Sequence, residues 1–263
     1  MATATPTPTP TPASTQAPAR PADGDQRVEF LDIGWEGYEA ILRVQNDRSR
    51  PQMIYLDGDL ILLLLSPAHF HERLNDRPGT LVRVVVEELD IPCVPTRENT
   101  FFRREKEAGV QPDGSFYLAN YGPIAAKDGQ VNIDLRVDPP PDLVIEVVHT
   151  YGAAHAIEVL RRFGVPEVWA CDPGGLSILA LRGDGQYVEA DVSLAFPFLA
   201  AAEVCDRVTR PGMASTTQWT KELRRWPGRC SSPASAAGAS DGLSSGPTKH
   251  EKDRRIGRDD QVA

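Results

Sequence analysis

Basic side chains are in short supply in this sequence. Lys and Arg total 28 against 37 Asp and Glu, which leaves a formal net charge of -9. Contacts to phosphate need basic groups, so the charge balance counts against tight non-specific binding of nucleic acid, although it does not exclude a local basic groove. Cysteine is scarce too. Cys93, Cys171, Cys205 and Cys230 are the four present, and none forms a C-x-x-C pair, which argues against a zinc site. Cys93 and Cys171 lie in apolar runs that read as strands, where a buried free thiol is the usual outcome. A reducing, cytoplasmic setting is therefore expected. The apolar run LILLLL at 60–65 is far too short to span a bilayer, so no membrane partner is expected. The first residues show no basic stretch followed by an apolar one, so no signal peptide is expected either. There is no G-x-S-x-G elbow, no cysteine with an obvious partner histidine, and no glycine loop that would cradle phosphates, which argues against a nucleophilic hydrolase and a nucleotide-driven motor.

What remains is a chain of 263 residues, 41% hydrophobic, enough for one packed domain with tails or for two small domains. Residues 1–27 are rich in Pro, Thr and Ala and contain the run TPTPTPTP. Residues 227–263 are rich in Ser, Gly, Ala and mixed charge. Both compositions are too poor in apolar groups to build a core, so both are expected to be disordered. The folded part is expected over 28–226. Within it, Tyr38, Ile41 and Leu42 share one side of a helical pattern. Asp57-Gly58 is a hairpin signal between two apolar strands. Ser66-Pro67 marks a helix start, and Pro78-Gly79 is expected to kink or break that helix. Short strands are expected at 91–95, 99–103 and 116–118, then a loop from 120 to 141. The run from Asp142 to Val148 has the apolar character of a central strand. A helix from Gly152 ends at Gly164, and strands at 168–171, 176–181 and 187–188 and a last helix at 217–225 complete an α/β pattern with a mixed sheet.

A glutamate inside an apolar strand needs a reason, because a buried carboxylate must be paired, protonated or bound to a cation. Glu146, in LVIEVV, is in that position. Asp113, in Gln111-Pro112-Asp113-Gly114, stands at the mouth of a short strand. Two carboxylates at the ends of neighbouring strands can hold Mg²⁺, which prefers oxygen ligands. On the residues alone, Asp113 reads more readily as a turn residue, and Glu146 equally as the partner of a core arginine such as Arg161 or Arg162.

Six stretches in fixed order extend this reading: WEGYEAIL, YLDGDLILLLLSPAHFHERL, EELDIP, GVQPDGSFYLAN, PDLVIEVV and RRFGVPEVWACD. With them the chain from Trp35 to Trp226 resembles the Uma-two family of restriction endonucleases, a branch of the PD-(D/E)XK nuclease superfamily. The resemblance implies an α/β, restriction-endonuclease-like core with a mixed central β-sheet flanked by helices. It implies a hydrolase that cuts DNA phosphodiester bonds with Mg²⁺ (or Mn²⁺). DNA is then the expected partner, and a homodimer is an open expectation, since many nucleases cut two strands as pairs. Carried over residue by residue, Asp113 matches the first metal carboxylate and Glu146 the second. Glu72 falls near the acidic residue that such folds often add through a water, and His71 matches a recurrent family histidine. His71 also reads as a helix-face histidine making a structural hydrogen bond.

The chain departs from the pattern at one place. The superfamily has a lysine two residues after the glutamate, where Val148 stands. In the family that lysine usually moves to the next helix, at the position matching Ala156. The only lysines between Val28 and Ala200 are Lys106 and Lys127, and neither comes after Glu146. A lysine there would orient the attacking water and stabilise charge on the phosphate. Without it, His155, His149 or an arginine could substitute, or the fold could be catalytically degenerate and serve as a DNA- or protein-binding module. Taken alone, His155 reads as an exposed polar residue.

Overall fold

The structure, a computed structural model, describes residues 27–45, 51–64, 69–96, 99–127, 133–147, 152–172, 174–210 and 215–226, with the side chains of 69–75 outside the description. All lie in the first of two units, residues 1–231. Asp57 and Gly58 both adopt positive φ, 51° and 100°, as a two-residue hairpin loop demands. They join β2 (Gln52–Leu56) to β3 (Asp59–Leu63), paired from Leu56↔Asp59 to Gln52↔Leu63. The hairpin sits in a five-stranded antiparallel sheet, ordered β1-β3-β2-β6-β5, with β1 (Arg27–Phe30), β5 (Phe101–Arg103) and β6 (Ala108–Val110).

β1 and β6 carry little sequence signal. β6 is Ala-Gly-Val, and its glycine is a packing requirement. A Cβ on Gly109 would lie 2.4 Å from the Tyr38 hydroxyl oxygen. Helix α1 (Gly34–Gln45) lays Tyr38 and Trp35 over the sheet, with Tyr38 stacked on Tyr55 at 4.6 Å between ring centroids.

The second sheet has six strands and is mixed. Its order is β11-β10-β9-β8-β7-β4, from β4 (Val94–Pro95), β7 (Gly114–Tyr117), β8 (Leu143–Val147), β9 (Glu167–Asp172), β10 (Gly175–Leu181) and β11 (Tyr187–Glu189). Only β8 and β9 run parallel, because the helix α4 (Ala153–Phe163) returns the chain between them. Gly164, at φ 75°, ends α4 in the left-handed conformation. Side chains alternate along β8. Leu143 and Ile145 enter one apolar cluster together with Leu81, Val85, Trp169 and Phe196. Val144 enters a second with Ile54, Ile61 and Val110 of the first sheet and Ala156, Val159 and Leu160 of α4. Period two puts Glu146 on the Val144 face, towards α4 and the first sheet.

Three expectations need correction. Helix α2 (His69–Glu88) continues through Pro78, so the break allowed for at Pro78-Gly79 does not occur. An interior proline costs about 3 kcal/mol, but Leu81, Val82, Val84 and Val85 are all buried just after it, at about 1.5–3 kcal/mol each. Tertiary burial therefore outweighs the local penalty. The loop expected at 120–141 contains a short helix, α3 (Tyr121–Ala125), and α5 (Ala201–Thr209) precedes the last helix, α6 (Thr216–Arg224). Cys93 lies just before β4 and is half-buried, with its thiol pushed up to about 11 by burial. Cys171, in β9, is the fully buried thiol. Ser66-Pro67 falls outside the described residues. No described helix is long and apolar enough to cross a membrane.

Candidate active site

β7 and β8 are antiparallel neighbours with Gly114 opposite Ile145. That register sets Asp113, one residue before β7, beside Glu146 near the end of β8. Asp113 is more than a turn residue. Its Oδ2 accepts a hydrogen bond from the Val147 backbone N–H at 2.9 Å, and its Oδ1 accepts one from the Gln52 side-chain amide at 2.9 Å. The first donor belongs to the mixed sheet and the second to the antiparallel sheet, so the carboxylate is held from both.

Glu146 is 6% exposed. Burial, and then the neighbouring Asp113 charge, hold its carboxyl well above the usual carboxylate range, against a lowering contribution from the Asp113 backbone N–H. Its Oε2 is enclosed and has no hydrogen-bond partner among the described residues. The arginines named as alternative partners are engaged elsewhere. Arg161 binds Glu158 at 2.7 Å and the Gly185 carbonyl at 2.9 Å. Arg162 binds both Asp57 oxygens at 2.6 Å and also Glu158. The core-arginine reading of Glu146 therefore does not hold.

A second buried glutamate shows how unusual this is. Glu167, one strand away in β9, is fully buried. It accepts from Trp169 Nε1 and Ser193 Oγ, each at 2.6 Å, from the Ala195 N–H at 3.1 Å and from the Leu194 N–H. Its role is structural, anchoring the loop after β11. Glu146 has no comparable set of donors.

Around the pair, Ala156 is fully buried in the cluster that contains Val144, Ile54 and Val168. A methyl group among apolar side chains thus occupies the position matched to the family lysine. His155, expected to be exposed, is half-buried with its Nδ1 enclosed. His149 lies outside the described residues. Glu72 and His71 stand in the first two turns of α2, and their side chains also lie outside the description. Lys127 pairs with Asp138 at 2.7 Å. Among the described residues no group of three or more His, Cys, Asp or Glu side chains forms a metal-holding cluster, so the acidic site within the described residues is a pair. Two carboxylates suffice for Mg²⁺, which keeps several waters.

Gln52 was missed at the level of sequence. Its signal was faint: period two along QMIYL puts this polar residue on the inward face of Ile54. Nothing local says that it meets Asp113, 61 residues away.

A family model described as "Putative restriction endonuclease" (Uma2) matches residues 35–206. Among solved structures, the chain is similar to a protein titled a putative nuclease belonging to DUF820 from Anabaena variabilis ATCC 29413. The identity is 17%, the match covers 60% of this chain and 92% of that one, and the TM-score is 0.44. No curated protein matches.

Proposed function

The chain belongs to the Uma2 family of putative restriction endonucleases, and from that premise we propose that it is a divalent-metal-dependent endonuclease that hydrolyses DNA phosphodiester bonds at Asp113 and Glu146. The observation that carries this reading is the contrast between two buried glutamates. Glu167 has four donors, whereas Glu146 has an enclosed oxygen with no partner among the described residues and a second carboxylate beside it. Two adjacent acids in a low-dielectric setting call for a proton or a cation between them. The residues therefore fit Mg²⁺ or Mn²⁺, with Asp113 and Glu146 as its protein ligands. Bound there, such an ion supplies an acidified water and stabilises charge on the phosphate. The chain's own contribution is positional: β7 and β8 set the two carboxylates side by side, and Val147 N–H and Gln52 hold Asp113 in one orientation. Glu72, at the start of α2, is proposed to add a carboxylate to the site through a water, with His71 beside it as the matched family histidine. Cutting both strands of a duplex would engage two copies of the chain.

The test compares plasmid nicking by the wild type, Asp113→Ala and Glu146→Ala in Mg²⁺ and Mn²⁺. Nicking by the wild type that both variants abolish is expected. Equal nicking by all three proteins would sink the assignment.

A second reading is favoured by one observation, the burial of Ala156 among apolar groups where the family places its lysine. In that reading the fold binds DNA or protein without cutting. Ala156→Lys separates the two. Metal-dependent cleavage that appears only in this variant marks the natural site as degenerate.

A further inference from the structure

We propose that Gln52 is a positioning residue for the metal site: from the antiparallel sheet it fixes the orientation of Asp113, and so sets the site's affinity for a divalent ion. The inference rests on the proposed metal reading of Asp113 and Glu146. Gln52 is a buried amide, 8% exposed, on the first residue of β2. A buried amide is costly unless its polar atoms are bonded, and here the Nε2 bond goes to Asp113 Oδ1. The other Asp113 oxygen is taken by Val147 N–H. A carboxylate held at one oxygen can still swing about that contact. Held at both, by donors on two different sheets, it has a fixed plane.

A fixed plane has a consequence for metal binding. Mg²⁺ demands near-ideal octahedral geometry, so a carboxylate that must be reoriented on binding is a poorer ligand than one already set. Partners that orient metal ligands typically change affinity by about 10–100-fold when removed. The neutral amide also matters. Glutamate at this position would face Asp113 with a third anion and no donor, whereas glutamine supplies a hydrogen bond without added charge.

The experiment is calorimetric titration of the full-length protein with Mn²⁺, using wild type, Gln52→Met and Glu146→Ala, with the thermal unfolding midpoint of each measured without metal. Gln52→Met keeps the length and bulk of the side chain and removes the donor. The expected result is Mn²⁺ binding by the wild type that is lost in Glu146→Ala and weakened about 10–100-fold in folded Gln52→Met. If Gln52 only fastens the two sheets together, the unfolding midpoint of Gln52→Met falls while the folded protein binds Mn²⁺ as tightly as the wild type, and the positioning role is overturned. If wild-type binding is absent, or survives in Glu146→Ala, the metal reading itself fails and the inference falls with it. Should Gln52→Met not fold, Gln52→Asn carries the same test: it keeps the amide but draws it back by one methylene, and unchanged Mn²⁺ affinity would again overturn the role.

Discussion

Two glutamates of the mixed sheet are both buried and differently provided for. Glu167 has its donors built in. Glu146 has burial and a like charge beside it, and its carboxyl is held well above the ordinary value of 4.5. A carboxyl whose folded pKa is raised binds a proton in the folded chain that the unfolded chain has already released. Its effect on stability is therefore neutral below about pH 4.5 and becomes a cost as pH rises towards the folded value. Without metal, Glu146→Gln is expected to match the wild type in thermal unfolding at about pH 4 and to exceed it increasingly as pH rises above about 5. A constant offset across that range would show that the glutamate is not responsible. Added Mn²⁺ is expected to raise the midpoint of the wild type and leave that of Glu146→Gln unmoved.

Elements in this fold dock through close backbone approach as well as through apolar stripes. α1 meets β6 with the Tyr38 ring against Gly109, and a Cβ there would stand 2.4 Å from the hydroxyl oxygen and 2.7 Å from Cζ. Tyr38 is fully buried and has no room to swing aside. Gly109→Ala is expected to destabilise the protein by about 3 kcal/mol, the upper part of the range for overpacking, read as a fall in the urea midpoint. The Tyr38 hydroxyl has no hydrogen-bond partner among the described residues, so Tyr38→Phe alone is expected to be neutral or stabilising in the same assay. Adding it to Gly109→Ala is expected to restore only part of the loss, because the ring carbon is nearly as close as the oxygen. Full restoration would mean that the hydroxyl alone sets the fit. α2 illustrates the same rule in reverse: its burial after Pro78 overrides a residue that ends most helices.

At the scale of the domain, α4 is the joint between the two sheets. Its apolar face packs into the cluster they share, and its last turn reaches back through Arg162 to the Asp57 turn of the hairpin. Arg161 and Arg162 together hold Glu158 down to about 2, and Arg162 also lowers Asp57. A depressed carboxylate stabilises the folded chain above its unfolded pKa, and that contribution is lost as pH falls from about 4.5 towards 2. Arg162→Ala is expected to cost about 1 kcal/mol at neutral pH, discounted because the Asp57 side chain is 59% exposed. The difference from wild type should shrink in about 1 M salt and below about pH 3. Urea midpoints that differ equally under all three conditions would contradict an ionic origin.

Much of this architecture was legible in the sequence because it is local. Asp57-Gly58 specifies its hairpin through the positive φ that both residues adopt, Gly164 ends α4 for the same reason, and the apolar run around Glu146 identifies a central strand by period and length alone. The order of six motifs was enough to place the chain in its family. Other features depend on which surfaces meet, and no local pattern encodes that. β6 exists because Gly109 lets Tyr38 close upon it, and α2 continues through Pro78 because the fold buries the apolar residues Leu81 to Val85 beyond it. Arg161 and Arg162 turned to Glu158 and Asp57 rather than to Glu146, a choice set by the face of α4 on which they stand. Sequence alone made Glu146 a carboxylate in want of a partner. The pairing of β7 with β8 decided that Asp113 lies beside it, and the stacking of the two sheets that Gln52, from the far side of that interface, holds Asp113 in place.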